Sequence, residues 1–172
     1  MSNYDWTETF RHCYDKAVVA YAAGHREPTK YFDAAETAFL ASIGCSAQEM
    51  YDYVEDAPEL SYDMALLITA VRRDYFLVMQ KGQVSQRTVR VEDFPAKDAE
   101  LAGFAWLPRI IVKARGKLRG EMPNELMYCC GGDRKFLKSV HLHPADFLRM
   151  VWAAKDDDQK IIDCVKQSCQ SV

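Results

Sequence analysis

The sequence lacks the features of membrane and secreted proteins. No apolar run approaches the roughly 18 residues that a membrane-spanning helix needs. The start, MSNYDWTETFRHCYDK, lacks the basic end and apolar run of a signal peptide. We therefore expect a cytoplasmic protein that has no membrane partner. Its six cysteines are then expected to be reduced thiols rather than disulfides.

Motifs of common enzyme classes are also missing. The chain contains no P-loop, no dinucleotide-binding G-x-G-x-x-G, no G-x-S-x-G and no H-E-x-x-H sequence. Its net charge is only −3, which gives no long-range attraction to nucleic acid. We therefore expect no nucleic-acid partner and no cofactor. The missing motifs make an enzyme less expected without excluding one.

What the chain does contain is typical of a helical globular protein. Hydrophobic residues make up 49% and charged residues 27%, a balance that allows a buried core. Apolar residues recur at spacings of three and four, as on one face of a helix. The sequence predicts a mainly α fold, with residues 1–172 in a single globular domain. The expected helices cover residues 5–23, 33–44, 46–58, 61–80, 108–120, 133–140, 144–154 and 158–168.

Helix starts are marked by polar residues that accept hydrogen bonds from the first backbone N–H groups. Asp33 with Glu36 and Ser46 with Glu49 have the spacing of capping boxes. The other expected N-caps are Ser61 and Asp158, and His143 is expected at a helix start with Pro144 in the first turn. Between the two sets of helices, valines alternate with polar residues from 83 to 91. That alternation suggests a short extended segment within a connector at 83–103.

The chain contains a weak internal repeat. An ungapped shift of 97 residues pairs seven identical residues, including Lys16 with Lys113 and Phe39 with Phe136. The apolar positions of the expected helices coincide under the same shift. We hypothesise a duplication in which four-helix halves at 5–82 and 104–168 share one core. The alternative is that any two amphipathic helical segments can be aligned to look alike.

The two halves differ most at residues 129–134, which read CCGGDR. Gly131 and Gly132 have no side chains to shield the start of the next helix, and Arg134 adds positive charge there. Backbone N–H groups at a helix start suit a small anion. The alternative is a tight turn in which Asp133 caps the helix. The candidate ligand-binding residues in this segment are Cys129, Cys130, Gly131, Gly132, Asp133 and Arg134.

A basic stripe completes the candidate site. Arg109, Lys113 and Lys117 lie four residues apart and therefore on one side of the expected 108–120 helix. Such a stripe is able to bind phosphate. The alternative is a solvated face whose lysine stems cover the edge of the core.

The adjacent cysteines suggest a second kind of chemistry. Cys129 and Cys130 are too close in sequence for an unstrained disulfide, so we expect free thiols that point in different directions. A nucleophilic role requires a lowered thiol pKa, which the helix start and Arg134 are able to supply. His141 and His143 add metal-binding atoms, but the combined spacing matches no zinc pattern. We therefore expect no metal site.

Part of the chain resembles a known family. The runs WLPRIIVKARGKLRG (106–120), YCCGGDRKFL (128–137) and HPADFLRMV (143–151) resemble an uncharacterised bacterial domain-of-unknown-function family over roughly residues 94–168. The resemblance implies no activity. Members often carry C-P-L-D where this chain has Cys130-Gly131-Gly132-Asp133, which counts against a catalytic role for the second cysteine or the glycines. The implied signature positions are Trp106, Pro108, Arg109, Lys113, Arg115, Gly120, Asp133, Arg134, Phe136 and Leu137.

Two functions remain open on this basis. The first is a helical binding or adaptor protein that accepts a small anion or a protein partner near the 128–134 turn and the 106–117 helix. The alternative is an enzyme that uses Cys129 or Cys130, or that acts on a phosphorylated or carboxylated metabolite.

Overall fold

The computed structural model describes residues 4–170 and is mainly α, as predicted. The described residues form eight α-helices and a sheet of two short strands. By its internal contacts, the chain divides into two compact units, Met1–Gln83 and Val84–Val172. Within the described range, no helix is both long and apolar enough to cross a membrane. The ends of the expected 1–172 domain, residues 1–3 and 171–172, lie outside the described residues.

The first unit is built from four helices. They are α1 (Trp6–Ala22), α2 (Ala34–Ser42), α3 (Ala47–Glu55) and α4 (Tyr62–Val78), with a 3₁₀ turn at Pro28–Lys30. Helix α1 packs against α3 and also contacts α2 and α4. The core of this unit forms from the apolar faces that the spacing predicted. Its most buried side chains include Phe10, Cys13, Leu40, Met50, Tyr53, Leu60 and Ile68.

The predicted caps of the first unit are confirmed. Asp33 and Ser46 each accept the backbone N–H of the glutamate three residues on, and that glutamate accepts the cap residue's own N–H. Ser61 Oγ accepts the N–H of Met64 at the start of α4. These bonds satisfy backbone donors that have no partner inside the helix, so the starts of α2, α3 and α4 are fixed locally.

The second unit begins with a hairpin and continues with four helices. Strands β1 (Glu100–Leu101) and β2 (Phe104–Ala105) pair antiparallel. The helices are α5 (Leu107–Arg119), α6 (Gly131–Ser139), α7 (Pro144–Ala154) and α8 (Asp158–Gln170). Helix α7 packs against α5, α6 and α8. The buried side chains of the second unit include Leu107, Ile110, Ile111, Leu137, Phe147, Leu148 and Ile161.

Residues 83–90, where the sequence suggested a short extended segment, belong to a connector without a paired strand, and the two strands lie at 100–105. There, Ala102 and Gly103 adopt φ of 53° and 89° and allow the chain to reverse direction tightly. The valine segment is held instead by Glu121, which lies two residues beyond the end of α5. Val89 N donates to Glu121 O at 2.9 Å, and Ser85 Oγ donates to Glu121 Oε1 at 2.7 Å.

The structure also shows what the residues at two predicted helix starts of the second unit do. His143 lies at the start of α7 ahead of Pro144, as predicted, and its Nδ1 also accepts the N–H of Ala145 at 3.2 Å. Asp158 is not a cap, because it is the first residue of α8. The capping bond comes from Asp157, whose Oδ1 accepts the N–H of Lys160. Asp158 accepts a hydrogen bond from Arg115 instead.

Candidate functional site around Lys113 and Cys130

Helix α5 carries a lysine into the core of the second unit. Pro108 lies in the first turn of α5, and Ile110, Ile111 and Ala114 form its buried stripe. Lys113 and Lys117 are buried beside that stripe, with 2% and 4% of their surface exposed. The prediction of a solvated basic face is therefore wrong for both lysines. A period of four places residues on one side of a helix but does not decide whether that side faces water.

Lys113 forms a buried ion pair with Asp133 of α6. The distance from Nζ to Oδ2 is 2.7 Å, and the side chains are 2% and 0% exposed. Removing two charges from water is costly, so such a pair persists only where further hydrogen bonds support it. The supporting bonds come from the segments that precede α5 and α6.

Asp133 accepts two further hydrogen bonds. Trp106 Nε1 donates to Oδ1 at 2.8 Å, and the backbone N–H of Cys129 donates to Oδ2 at 2.8 Å. Asp133 is thus not the N-cap that the sequence suggested, because α6 begins two residues earlier, at Gly131. Its carboxylate points into the core and joins the ends of two helices.

Cys130 is the member of this cluster that solvent can reach. Lys113 Nζ donates to Cys130 Sγ at 3.1 Å, so one ammonium group contacts both a carboxylate and a thiol. Cys130 is the N-cap residue of α6 and is partly exposed. Its sulfur therefore lies at the positive end of the helix dipole, next to a buried cation.

Cys129 is fully buried, whereas its neighbour Cys130 is partly exposed. Burial raises the pKa of the Cys129 thiol to about 12. Its backbone φ is 75°, in the left-handed region that favours glycine. Arg134 Nη1 donates to the Cys129 carbonyl at 2.7 Å. All six cysteines lie within the described residues and are free thiols, as predicted.

The two glycines have separate roles. A Cβ atom on Gly132 would lie 2.4 Å from Cζ2 of Trp106, so only glycine lets the indole pack against this turn. At Gly131 the nearest atom would be Arg134 Nη2 at 3.8 Å, an ordinary contact. Gly132 thus allows Trp106 to reach Asp133, whereas Gly131 is replaceable.

The remaining basic candidates bind acceptors within the second unit. Arg109 Nη1 donates to the Pro95 carbonyl at 2.6 Å, and its guanidinium lies 5.8 Å from the centre of the Phe94 ring. Arg134 serves the Cys129 carbonyl. The structure therefore brings together Lys113, Cys130 and Asp133, while Arg109 and Arg134 are each occupied by a backbone carbonyl.

Trp106 is a site residue that neither helix spacing nor charge pattern identified. It precedes α5 with a φ of 73°, an uncommon conformation for so large a side chain. The signal in the sequence was indirect: the paired glycines at 131 and 132 indicated a close approach of backbone to another group. That signal did not name the indole. Trp106 appeared only among the positions that the family resemblance implied.

The described residues also bear on metal binding. Across residues 4–170, no group of three or more His, Cys, Asp or Glu side chains is arranged to hold a metal ion. The polar groups of this cluster are the Cys130 thiol, the Lys113 ammonium, the Asp133 carboxylate and the Trp106 indole N–H. This set is suited to thiol chemistry or to charge stabilisation.

The second unit is thus a small helical unit that holds a partly exposed thiol against a buried ion pair. Residues 93–172 match the family model described as "Domain of unknown function (DUF5069)". The expected resemblance to an uncharacterised domain family is confirmed for this part of the chain. No curated protein and no solved structure matches the chain.

Proposed function

We propose that this is a thiol-dependent protein of the cytoplasm, in which Cys130 attacks a small electrophile. The observation that carries the proposal is the contact of 3.1 Å between Cys130 Sγ and the ammonium of Lys113. The sulfur is partly exposed, whereas the lysine is buried. An incoming molecule therefore reaches the nucleophile before it reaches the cation.

Two features place positive charge beside this sulfur. The first is the ammonium of Lys113, which donates to Sγ at 3.1 Å. The start of α6 adds a partial positive charge at the same place. Because Lys113 is shielded from water, its charge acts on the sulfur with little screening.

The lysine is held in place by residues that do not touch the sulfur. An ammonium has three N–H donors, and Lys113 directs one to Asp133 and another to Cys130. Trp106 fixes the carboxylate from its other oxygen. Asp133 and Trp106 are therefore positioning residues, and their loss is expected to reduce thiol reactivity without removing the nucleophile.

The geometry favours Cys130 over Cys129 as the nucleophile. Cys129 is fully buried with a pKa of about 12, so almost none of it is thiolate at neutral pH. The family resemblance counted against a catalytic role for the second cysteine of the pair. The contact with Lys113 counts for it, and on this point we give the contact more weight.

Thiol labelling tests the proposal. The folded protein is treated with a limiting amount of iodoacetamide at neutral pH, and each cysteine is quantified by mass spectrometry. We expect Cys130 to label faster than Cys164 and Cys169, although both of these are more exposed. Cys129 is expected to label only after unfolding.

A matched pair of variants separates the role of the cation from general damage. Lys113→Arg keeps a positive charge and is expected to keep much of the enhanced labelling, whereas Lys113→Met loses it. Lys16→Met, the corresponding change in the first unit, is expected to leave Cys130 labelling unchanged. If Cys130 in the wild-type protein labels no faster than Cys164 and Cys169, the proposed function is wrong.

A second candidate function is the binding of a small anion without covalent chemistry, as part of a binding or adaptor role. The observation in its favour is the start of α6, where Gly131 is exposed and Gly132 is partly exposed. A thermal-shift titration with phosphate and sulfate tests it. An anion present at 100 times its Kd stabilises the fold by about 2.7 kcal/mol. An unchanged Tm at every concentration contradicts anion binding and leaves the thiol proposal standing.

A further inference from the structure

We propose that peroxide oxidation of Cys130 ends in a covalent sulfur–nitrogen bond between Cys130 Sγ and Lys113 Nζ. This inference rests on the proposed function, because it requires Cys130 to be a reactive thiol. It names hydrogen peroxide as one electrophile for the site and describes how that reaction is regulated. The product is a sulfenamide that links α5 to α6 within the second unit.

The two atoms are already placed for bond formation. Groups that react within a protein do so most readily when the reacting atoms lie about 3–3.5 Å apart. The distance from Nζ to Sγ is 3.1 Å in the reduced protein. Lys113 has little freedom to leave this position, since Asp133 holds it at 2.7 Å and the side chain is 2% exposed.

The first step is the ordinary oxidation of a thiolate. Cys130 sulfur attacks one oxygen of hydrogen peroxide, the O–O bond breaks, and hydroxide leaves. The sulfur loses two electrons to the peroxide and becomes a sulfenic acid. Because Cys130 is partly exposed, peroxide reaches it without local unfolding.

The second step uses the buried ion pair. Lys113 passes one proton to Asp133 Oδ2, which already accepts its hydrogen bond. The neutral amine attacks the sulfur, the S–O bond breaks, and the oxygen departs as water with a second proton from the nitrogen. The products are the S–N bond, one water molecule and a protonated Asp133. Both buried charges disappear together, so neither is left unpaired in the core.

A disulfide with Cys129 is the competing outcome, and the structure disfavours it. Sulfenic acids condense with thiolates, but burial raises the pKa of Cys129 to about 12. Neighbouring cysteines also need a strained geometry to bridge. The Cys129 backbone is fixed on both sides of the residue, by Asp133 at its N–H and by Arg134 at its carbonyl.

The link is reversible by thiols. A thiolate attacks the sulfur of the S–N bond, which releases Lys113 as an amine and forms a mixed disulfide. A second thiol then reduces that disulfide and restores Cys130. The site would therefore record exposure to peroxide and reset when the thiol pool recovers. Formation of the S–N bond also protects the sulfur from irreversible oxidation.

Mass spectrometry of the full chain tests the inference. The Cys164→Ser/Cys169→Ser variant, which removes the exposed thiols, is treated with hydrogen peroxide at neutral pH. We expect the intact mass to fall by two hydrogens rather than rise by one oxygen, and dithiothreitol to reverse the change. Trypsin does not cleave after a modified lysine, so residues 110–115 are expected to stay uncut and to be joined to the peptide that contains Cys130.

Two variants separate the S–N bond from other products. Lys113→Arg keeps the charge but replaces the amine with a poor nucleophile. It is expected to stop at a sulfenic acid that dimedone captures, with no cross-linked peptide. Cys129→Ser removes the competing thiol and is expected to form the link as before. Because Cys129, Cys130 and Lys113 are all intact in the protein used for the main result, poor folding of either variant does not block the test.

The outcomes distinguish this inference from the proposed function. If Cys130 forms a dimedone-reactive sulfenic acid but no link to Lys113, the inference is wrong and the reactive thiol stands. A cross-link that contains an additional oxygen atom also overturns the inference. So does a loss of two hydrogens that no longer occurs in the Cys129→Ser variant. If Cys130 reacts with neither peroxide nor iodoacetamide, both proposals fail.

Discussion

The two units each contain a lysine–carboxylate pair at corresponding positions, but only one of the pairs is buried. In the first unit, Lys16 and Glu36 are joined at 2.5 Å, with side chains 40% and 12% exposed. In the second, Lys113 and Asp133 are joined at 2.7 Å and are 2% and 0% exposed. The shift of 97 residues relates both lysines and both acids. The same pairing is thus a surface contact in one unit and part of the core in the other.

The residues around the pairs explain this difference in burial. At the position that corresponds to Trp106 in the second unit, the first has Thr9, which has no indole to donate to the acid of the pair. Where the second has Gly132, which the indole requires, the first has Ala35. Burial of the Lys113–Asp133 pair therefore goes with the large indole of Trp106 and with the absence of a Cβ atom at Gly132.

The residue next to the pair differs as well. Asp33 occupies the position of Cys130 and caps α2 as half of a capping box. Glu36 completes that box and also contacts His12 Nε2 at 3.2 Å. The first pair therefore stabilises a helix start, whereas the second places a cation against a thiol.

The same shift relates helix boundaries. Helix α2, at Ala34–Ser42, corresponds residue for residue to α6, at Gly131–Ser139, and the starts of α3 and α7 also differ by 97 residues. Gly44 and His141, which correspond, both have a positive φ just beyond a helix end. The internal duplication itself stays a prediction. An experimental structure in which the two sets of helices superpose poorly would remove it.

The largest difference between the pairs is expected on removal of the lysine. Lys113→Met leaves Asp133 buried without its cation and is expected to cost about 3–5 kcal/mol of unfolding free energy. Lys16→Met breaks a partly exposed pair and is expected to cost about 0–1 kcal/mol. Urea unfolding of both variants measures the contrast. Equal losses would mean that burial of the second pair carries no energetic weight.

A smaller effect is expected from adding one methyl group at the paired glycines. Gly132→Ala forces Trp106 away from Asp133 and is expected to cost about 1–3 kcal/mol, as overpacking of a core does. Gly131→Ala meets no close neighbour and is the matched control, expected to lie within about 1 kcal/mol of the wild type. Tryptophan fluorescence and thermal unfolding measure both. If the two variants lose the same stability, the contact with Trp106 is not what requires glycine.

The smallest effect concerns pH in the first unit. Partial burial alone would raise the pKa of Glu36, but hydrogen bonds from Lys16 and the Asp33 N–H outweigh it and lower the pKa below its usual value. Stability from a lowered acid pKa is present above the unfolded value of about 4.3 and is lost as pH falls through the folded value. Glu36→Gln is therefore expected to flatten the loss of stability below about pH 4.3.

Chemical unfolding at several pH values measures this slope, with the exposed Glu59→Gln as the control. An unchanged slope in the Glu36 variant would show that the pair does not titrate with folding. A change of the same size in the control would show that the slope reports net charge alone.

Local features of this fold were predictable, and contacts between distant residues were not. The capping boxes at Asp33 and Ser46 need residues only three positions apart, so the sequence identifies them. The burial of Lys113 depends on Asp133, which lies 20 residues away on another helix. The spacing of four residues in the sequence is the same whether the lysine faces water or pairs with a buried carboxylate.

The candidate site shows the same division. The segment from Cys129 to Arg134 was identifiable because it differs from its counterpart in the first half. Which of the two cysteines is exposed to solvent was not predictable, because that depends on how the turn packs against α5. The two glycines indicated a close approach, but only the coordinates identify Trp106 as the group that approaches.

The hydrogen bond from the Cys129 N–H to Asp133 has a practical consequence. The oxygen that accepts it, Oδ2, is the one that also holds Lys113. Any event that withdraws the lysine or protonates the carboxylate therefore changes the protection of this single backbone amide. Its hydrogen exchange, followed by NMR, provides an internal reporter of the state of the ion pair that requires no added probe.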